Sequence, residues 1–259
     1  MKKKKNFNRK KIICGVLSFA IILIVWIAVS HSNPDFLPSP AKCFEKFVFM
    51  CQRPISKVTL MGHVWASLKR VLCAVAIASL IGVPLGLGMG WNKKINAFVS
   101  PIFEFLRPIP PIAWIPLVIL WFGVGEVSKV FLVLIGAIIP IILNTYTGVK
   151  LVSPILLNVG KVYKANSVQT LKEIVLPAAL PTIFAGIRTA VSSGWMIVLA
   201  AEMMASKSGV GFLITRGMEA YDIAMVICCM LLIGMVGFLI SICLSALERR
   251  LCPWKTGIE

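Results

Sequence analysis

Apolar side chains gather along this chain in six runs, at roughly 12–29, 67–90, 100–122, 129–149, 183–204 and 223–246. A helix needs about 20 consecutive apolar residues to cross a bilayer. Runs of this length, without the strict alternation of a half-buried strand, predict membrane helices. The third run is interrupted by Pro101, Pro108, Pro110, Pro111 and Pro116, which predicts a kinked or broken helix. The second carries Gly82, Pro84, Gly86, Gly88 and Gly90. Small residues let helix backbones approach closely, so this run reads as a packing seam, with a wall of a solute path as a second reading. The first run follows a basic stretch, as in a secretory signal. It is long enough to span and no clear small-x-small cleavage site follows, so it is expected to stay as an uncleaved helix.

Two polar segments between the runs carry helix signals of their own. In 30–66, Ser39-Pro40 is a cap followed by a first-turn proline. Phe44, Phe47, Val48 and Cys51 then share one face, which suits an interfacial helix or a helix packed on the bundle. In 150–182, Ser153-Pro154 starts one short helix. Asn166 with Gln169 forms a capping-box pair for a second, whose apolar face is Leu171, Ile174 and Val175. Pro177 is expected to stop it. The product is a helical knob with a turn around Lys164–Ser167, a shape that docks into a partner's groove.

Composition agrees. Hydrophobic residues make up 58% of the chain and charged ones 14%, too few to cover a water-soluble globule of this size. The net charge of +17 would suit nucleic acid, but the basic residues cluster at the ends of the apolar runs without interleaved aromatics, so no nucleic acid is expected. Most of the 27 basic residues lie in the amino-terminal tail (Lys2–Lys11), the 91–108 loop, the 150–182 loop and the tail after 248. With six spans these segments share one face, which places both termini in the cytoplasm. The eight cysteines show no C-x-x-C spacing. Cys14, Cys73, Cys228, Cys229 and Cys243 read as packing residues. Cys43 and Cys51, about 12 Å apart along one helix, are too far apart for a disulfide.

Chemistry is sparse. No G-x-x-x-x-G-K-[ST] phosphate loop occurs, so this chain is not expected to hydrolyse ATP. His31 and His63 fall outside the six runs, and no catalytic set or metal spacing can be assembled. An enzyme is not expected. A stand-alone secondary transporter or channel is the alternative to a partnered permease. It would need ion-coupling groups near the midplane and often two repeated halves, neither of which is evident.

The run GKVYKANSVQTLKEIVLPAALP (Gly160–Pro181) resembles the EAA loop of binding-protein-dependent ABC importer permeases. It keeps the closing Ile174-Val175-Leu176-Pro177, but has Lys164 where the loop carries Gly and Asn158 where it carries Glu. The wider resemblance covers nearly all of 35–250 and is nearest to the nitrate, alkanesulfonate and taurine group. It rests on FLPSP (Phe36–Pro40), SLKRVL (Ser67–Leu72), GVPLGLGMG (Gly82–Gly90), LRPIPPIAWIPLVILWFGVGEVSK (Leu106–Lys129), PIILNTYTGV (Pro140–Val149) and Trp195–Met203.

The resemblance implies an all-α membrane protein of about six spans, the type I importer transmembrane domain, working as a dimer of permeases in a bacterial inner membrane. It implies a basic tail, first span and outer helix in 1–59, the transmembrane core in 60–248 with the EAA-like loop at 150–182, and a cytoplasmic tail at 249–259. Two ABC ATPase subunits would bind ATP and Mg, this chain holding no cofactor, and an extracytoplasmic binding protein would deliver solute. A second copy of the permease would complete a homodimer. ATPase coupling would fall to Asn158, Gly160, Tyr163, Lys164, Ala165, Asn166, Ser167, Leu171 and Pro177. The solute would be a small anion or heterocycle such as a sulfonate, taurine, nitrate or a vitamin precursor, moved by alternating access.

Four residues are candidates for the translocation path. Glu202 is a carboxylate inside a run, and Trp195 lies two turns earlier on the same helical face. Arg107 and Arg188 could attract an anion, or contact lipid headgroups. Glu126 and Lys129 are expected in an outer loop.

Overall fold

The computed structural model describes residues 2–34 and 36–252, with side chains from Cys14 onward save those of Val16 and Ala205. Among these residues the regular structure is helical. Helix α1 covers Lys2–Ser32, α2 Pro40–Gln52, α3 Leu60–Trp91 and α4 Lys93–Leu106. A 3₁₀ turn at Pro111–Trp114 leads into α5, Ile115–Phe122. Then come α6 (Glu126–Lys150), α7 (Pro154–Val162), α8 (Ser167–Gln169), a π-turn at Thr170–Val175, α9 (Leu176–Ala205), α10 (Val210–Glu219) and α11 (Ile223–Leu251).

Among the described residues, four stretches are long and apolar enough to cross a membrane: α3, α6, the continuous Ser167–Met204 helix and α11. Helix α4 and Pro111–Phe122 together make a fifth, bent by 85°. This is the break foreseen for the proline-rich run. Pro108, Pro110 and Pro111 supply no N–H for the helical ladder and crowd the preceding turn. The expected run at 12–29 falls on α1, whose described side chains give the shorter apolar stretch Leu17–Ser32.

The chain divides into two compact units, the residues up to Leu60 with Leu213–Leu231, and Met61–Phe212 with the chain from Leu232 onward. In the second unit, α3, α5, α6 and α9 surround one apolar core built on Val71, Val75, Val118, Val133, Ile141 and Val198. Close helix contact makes it possible. A methyl group built on Gly82 would lie 3.0 Å from Ile141 Cγ2, one on Gly86 2.7 Å from Thr145 Cβ, and one on Gly90 2.5 Å from Val149 Cβ. Three glycines four residues apart thus face three α6 side chains four apart, the spacing that brings two membrane helices to backbone contact. The expected seam is real, and it lies between α3 and α6. A second apolar cluster, Val149, Val152, Val175, Ala179 and Ile183, packs the far end of α6 against the start of α9.

In the first unit, Ser39 caps α2 as expected, accepting from the Lys42 N–H at 3.3 Å. Packing on the bundle would bury the Phe44 face of α2, and that is not the face the protein buries. Cys43 and Met50 are buried, while Phe44 is 68% exposed and Cys51 is exposed. The partner fixes the phase. Cys228 at the start of α11 donates its thiol to the Cys43 carbonyl at 2.9 Å, and Lys46 pairs with Asp222. Burial holds the Cys43 thiol above its ordinary value.

Candidate functional site

The knob forms where the chain leaves α6. Ser153 caps α7 by accepting from the Ile155 N–H at 3.3 Å. At the other end of α7, Lys164 N–H donates to Lys161 O at 3.0 Å and Ala165 N–H to Gly160 O at 2.9 Å. These are the 5→2 and 6→1 bonds of a Schellman motif. The motif needs a left-handed residue after the cap, and Lys164 has φ +53°. Glycine is the usual occupant, since an L side chain there costs roughly 1–2 kcal/mol. Gly160 is buried under the next helix, and a methyl group on it would lie 2.9 Å from Ile174 Cδ1.

The return helix starts on the foreseen capping box. Gln169 N–H donates to Asn166 Oδ1 at 2.8 Å, and Asn166 N–H to Gln169 Oε1 at 2.9 Å. Trp91 Nε1 donates to Ser167 Oγ at 3.2 Å, tying the end of α3 to this start. Leu157 and Leu171 pack inward on the Val149–Val175 cluster. The tip is left bare, with Val162 78% and Tyr163 81% exposed beside exposed Ile155 and Val168.

Pro177 does not stop this helix. Ser167–Met204 runs on as one helix of 38 residues, so the second half of the 150–182 segment is the beginning of the fifth span rather than a loop. The reason lies one turn earlier. Thr170–Val175 is a π-turn, and Leu176 N–H bonds five residues back to Leu171 O. That wider turn shifts the ladder just before a residue that has no N–H to give and would otherwise crowd the carbonyl four back.

The other end of α9 carries a buried charge cluster. Arg70 of α3 is only 4% exposed, and all five of its N–H donors are used. Nε and Nη2 reach the Glu126 carboxylate at 2.6 and 2.7 Å, and Nη1 reaches Glu202 at 2.5 Å. The remaining donors reach the Ser208 carbonyl and hydroxyl, both at 2.9 Å. Glu202, 1% exposed, also accepts from Ser67 Oγ at 2.8 Å and Gly211 N–H at 3.0 Å. Lys129 Nζ closes on Glu126 at 3.0 Å.

The segment after α9 wraps this carboxylate. Gly209 N–H donates to His63 Nδ1 at 3.1 Å, and Val210 N–H to Ser67 Oγ at 3.0 Å. His63 stacks on Phe212, ring centroids 5.9 Å apart. Gly209 has φ +119°, and a side chain on it would overlap the Glu202 carboxylate. Two cations and two carboxylates leave the cluster neutral.

The family described as the binding-protein-dependent transport system inner membrane component matches residues 79–256. The chain belongs to that family. It is 33% identical over 254 residues to the taurine transport system permease protein TauC of Escherichia coli K12, covering 96% of this chain and 92% of the relative. It is 33% identical to the bicarbonate transport system permease protein CmpB of Synechococcus elongatus, over 92% of this chain and 87% of the relative. The putative aliphatic sulfonates transport permease protein SsuC of Bacillus subtilis is 30% identical, over 100% and 94%. Among solved structures, an inward-facing form of the MetNI methionine ABC transporter superposes with a TM-score of 0.67 at 19% identity. That match covers 74% of this chain and 95% of the other, and it establishes the importer fold.

As a multi-pass inner-membrane permease of this family, the chain works with ATPase and binding-protein partners. This reading stands over a stand-alone transporter or channel. The four path candidates each have a separate partner. Glu202 is paired with Arg70 and enclosed by its own chain. Trp195 is buried and donates Nε1 to Ile233 O of α11 at 3.3 Å. Arg188 pairs with Glu248 of α11, and Arg107 lies 3.7 Å from Glu104.

Glu126 and Lys129, expected in a loop, form the first turn of α6. His63, expected outside the runs, is buried in the first turns of α3, because that helix starts at Leu60 rather than 67. Sequence reasoning missed Arg70 altogether. One signal could have found it: a guanidinium inside an apolar run requires a carboxylate partner, and Glu202 was the intramembrane candidate.

Proposed function

We propose that two copies of this chain form the pathway of an ATP-driven importer for a small anionic or heterocyclic solute, which moves by alternating access. Two ATPase subunits, carrying ATP and Mg, grip the knob between α7 and α8. A binding protein delivers solute at the opposite face, where α9 ends. Both termini lie in the cytoplasm, since the basic residues cluster on that side. The 1–59 and 249–259 segments flank the 60–248 core. The observation that carries this reading is the bare apolar tip of Val162 and Tyr163, held on a two-sided backbone cap. A rigid, exposed apolar knob suits a groove on a partner.

Coupling falls to Asn158, Tyr163, Lys164, Ala165, Asn166 and Ser167 at or near the turn, with Gly160, Leu171 and Pro177 holding its base. Of the path candidates, Arg107 keeps its guanidinium partly exposed and is the one we carry forward for an anion. Glu202 and Trp195 enter as packing and clamp residues instead. The named solutes of the relatives, taurine, aliphatic sulfonates and bicarbonate, favour the anionic class. The test is uptake into proteoliposomes by permease, ATPase and binding protein together, with Ala165→Asp as the variant. ATP-dependent uptake that Ala165→Asp abolishes, with loss of ATPase co-purification, is the expected result. Unchanged assembly and transport in that variant would sink the coupling role.

A further inference from the structure

The coupling knob and the buried charge cluster lie at the two ends of one helix. Ser167–Met204 runs without interruption for 38 residues, roughly 55 Å at helical rise. Its start is fixed by the capping box and Trp91, and Glu202 is two residues before its end. At that end Arg70 binds Glu202, the first turn of α6 through Glu126, and the following segment through both Ser208 oxygens. The same segment donates Gly209, Val210 and Gly211 N–H groups to His63, Ser67 and Glu202. One guanidinium therefore joins three helices and the 206–211 turn into a single block.

We propose that Arg70 is a positioning residue for transport: it anchors the far end of this helix, so that movement of the 206–211 turn is passed along α9 to the ATPase-facing knob. Two features single out the Ser167–Met204 helix as the lever. Its knob end contains the π-turn at Thr170–Val175, a place where a helix can change its hydrogen-bond register. Its cluster end has no such slack, because every Arg70 donor is engaged and Gly209 leaves no room for a side chain. A stiff rod clamped to the 206–211 turn carries the displacement of that turn to its other end, where the π-turn lets the knob adjust its angle.

This inference rests on the importer reading above, and the experiment separates the two. The complex of two permease and two ATPase subunits is reconstituted in nanodiscs, and ATPase activity is measured with and without solute-loaded binding protein. Stimulation of the unaltered complex tests the importer reading. The inference is tested by Arg70→Gln and by the apolar pair Arg70→Met with Glu202→Leu. Replacing a buried ion pair by apolar residues is often neutral for stability, so the pair keeps the fold while removing the anchor. For the apolar pair the expected outcome is normal assembly and basal ATPase activity, with stimulation reduced about tenfold, an ordinary size for coupling between distant sites; Arg70→Gln alone is expected to lose stimulation together with stability. The Glu126→Gln variant, which leaves the Arg70–Glu202 bond, is expected to keep most of its stimulation. Full stimulation in the apolar pair would overturn the proposal. Failure of the pair to assemble would overturn it as well, because the anchor would then serve the fold and not coupling.

Discussion

The knob and the far end of the Ser167–Met204 helix solve the same problem, how to end a helix, with opposite chemistry. At the knob, the backbone is satisfied by local groups within about five residues in sequence: Ser153, Asn166, Gln169 and the Schellman bonds around Lys164. At the cluster, the partners come from far away: Arg70 is 132 residues from Glu202 and 56 from Glu126. Local caps cost little when broken and leave the surface free for a partner. A long-range buried ion network is costly to break from one side, and it holds elements together that the sequence keeps apart. The difference marks one end as a contact surface and the other as a joint.

Removing one side of the joint is therefore expected to have the largest effect on stability. Arg70→Gln leaves Glu202 charged, buried and without its main partner, which costs about 3–5 kcal/mol. Glu126 has a side chain 64% exposed, so Glu126→Gln should cost about 1 kcal/mol or less. Thermal unfolding of the purified permease in detergent would register a large loss for the first and a small one for the second. Equal losses would mean that Glu126, not Glu202, is the partner that matters.

Next in size is Gly209→Ala. The residue has φ +119°, and its added methyl would overlap the Glu202 carboxylate. Strain of this kind costs about 1–3 kcal/mol. The same thermal measurement should place this variant between the two above. Gly123, also left-handed at φ +69° but with open space around it, gives the control. There alanine adds backbone strain without steric overlap, so its cost should be the smaller. A cost at Gly123 equal to that at Gly209 would show that the carboxylate does not crowd the turn.

The same division explains what could be read from the sequence. The caps at Ser39, Ser153 and Asn166 were legible because each is a local bond between neighbours in the chain. The proline break after α4 was legible for the same reason, and the α3 glycine seam because its regular spacing shows in the chain although its partner α6 does not. What failed needed a distant partner or a local irregularity. The buried face of α2 is set by Cys228, 185 residues away. Pro177 reads as a stop until the π-turn before it is known. Arg70 sat inside a quoted motif, SLKRVL, yet its role appears only when three helices meet.

The smallest expected effect is at the knob, and its sign is reversed. Lys164 occupies the left-handed position of the Schellman motif that the family loop fills with glycine. Its side chain is exposed and makes no contact that the motif requires. Lys164→Gly should therefore relieve strain and stabilise the turn by about 1 kcal/mol. Amide exchange of residues 160–170 should slow by about fivefold, the factor that this free energy represents. A β-branched residue has the opposite preference, so Lys164→Val should speed exchange across the same amides. If Lys164→Gly instead loosens the turn, the lysine side chain contributes to the cap. The departure from the family's glycine would then be an adaptation to the partner ATPase and not a tolerated strain. The contrast between the two ends predicts the first outcome: at a local cap, the backbone carries the energy and the side chain is free for the partner.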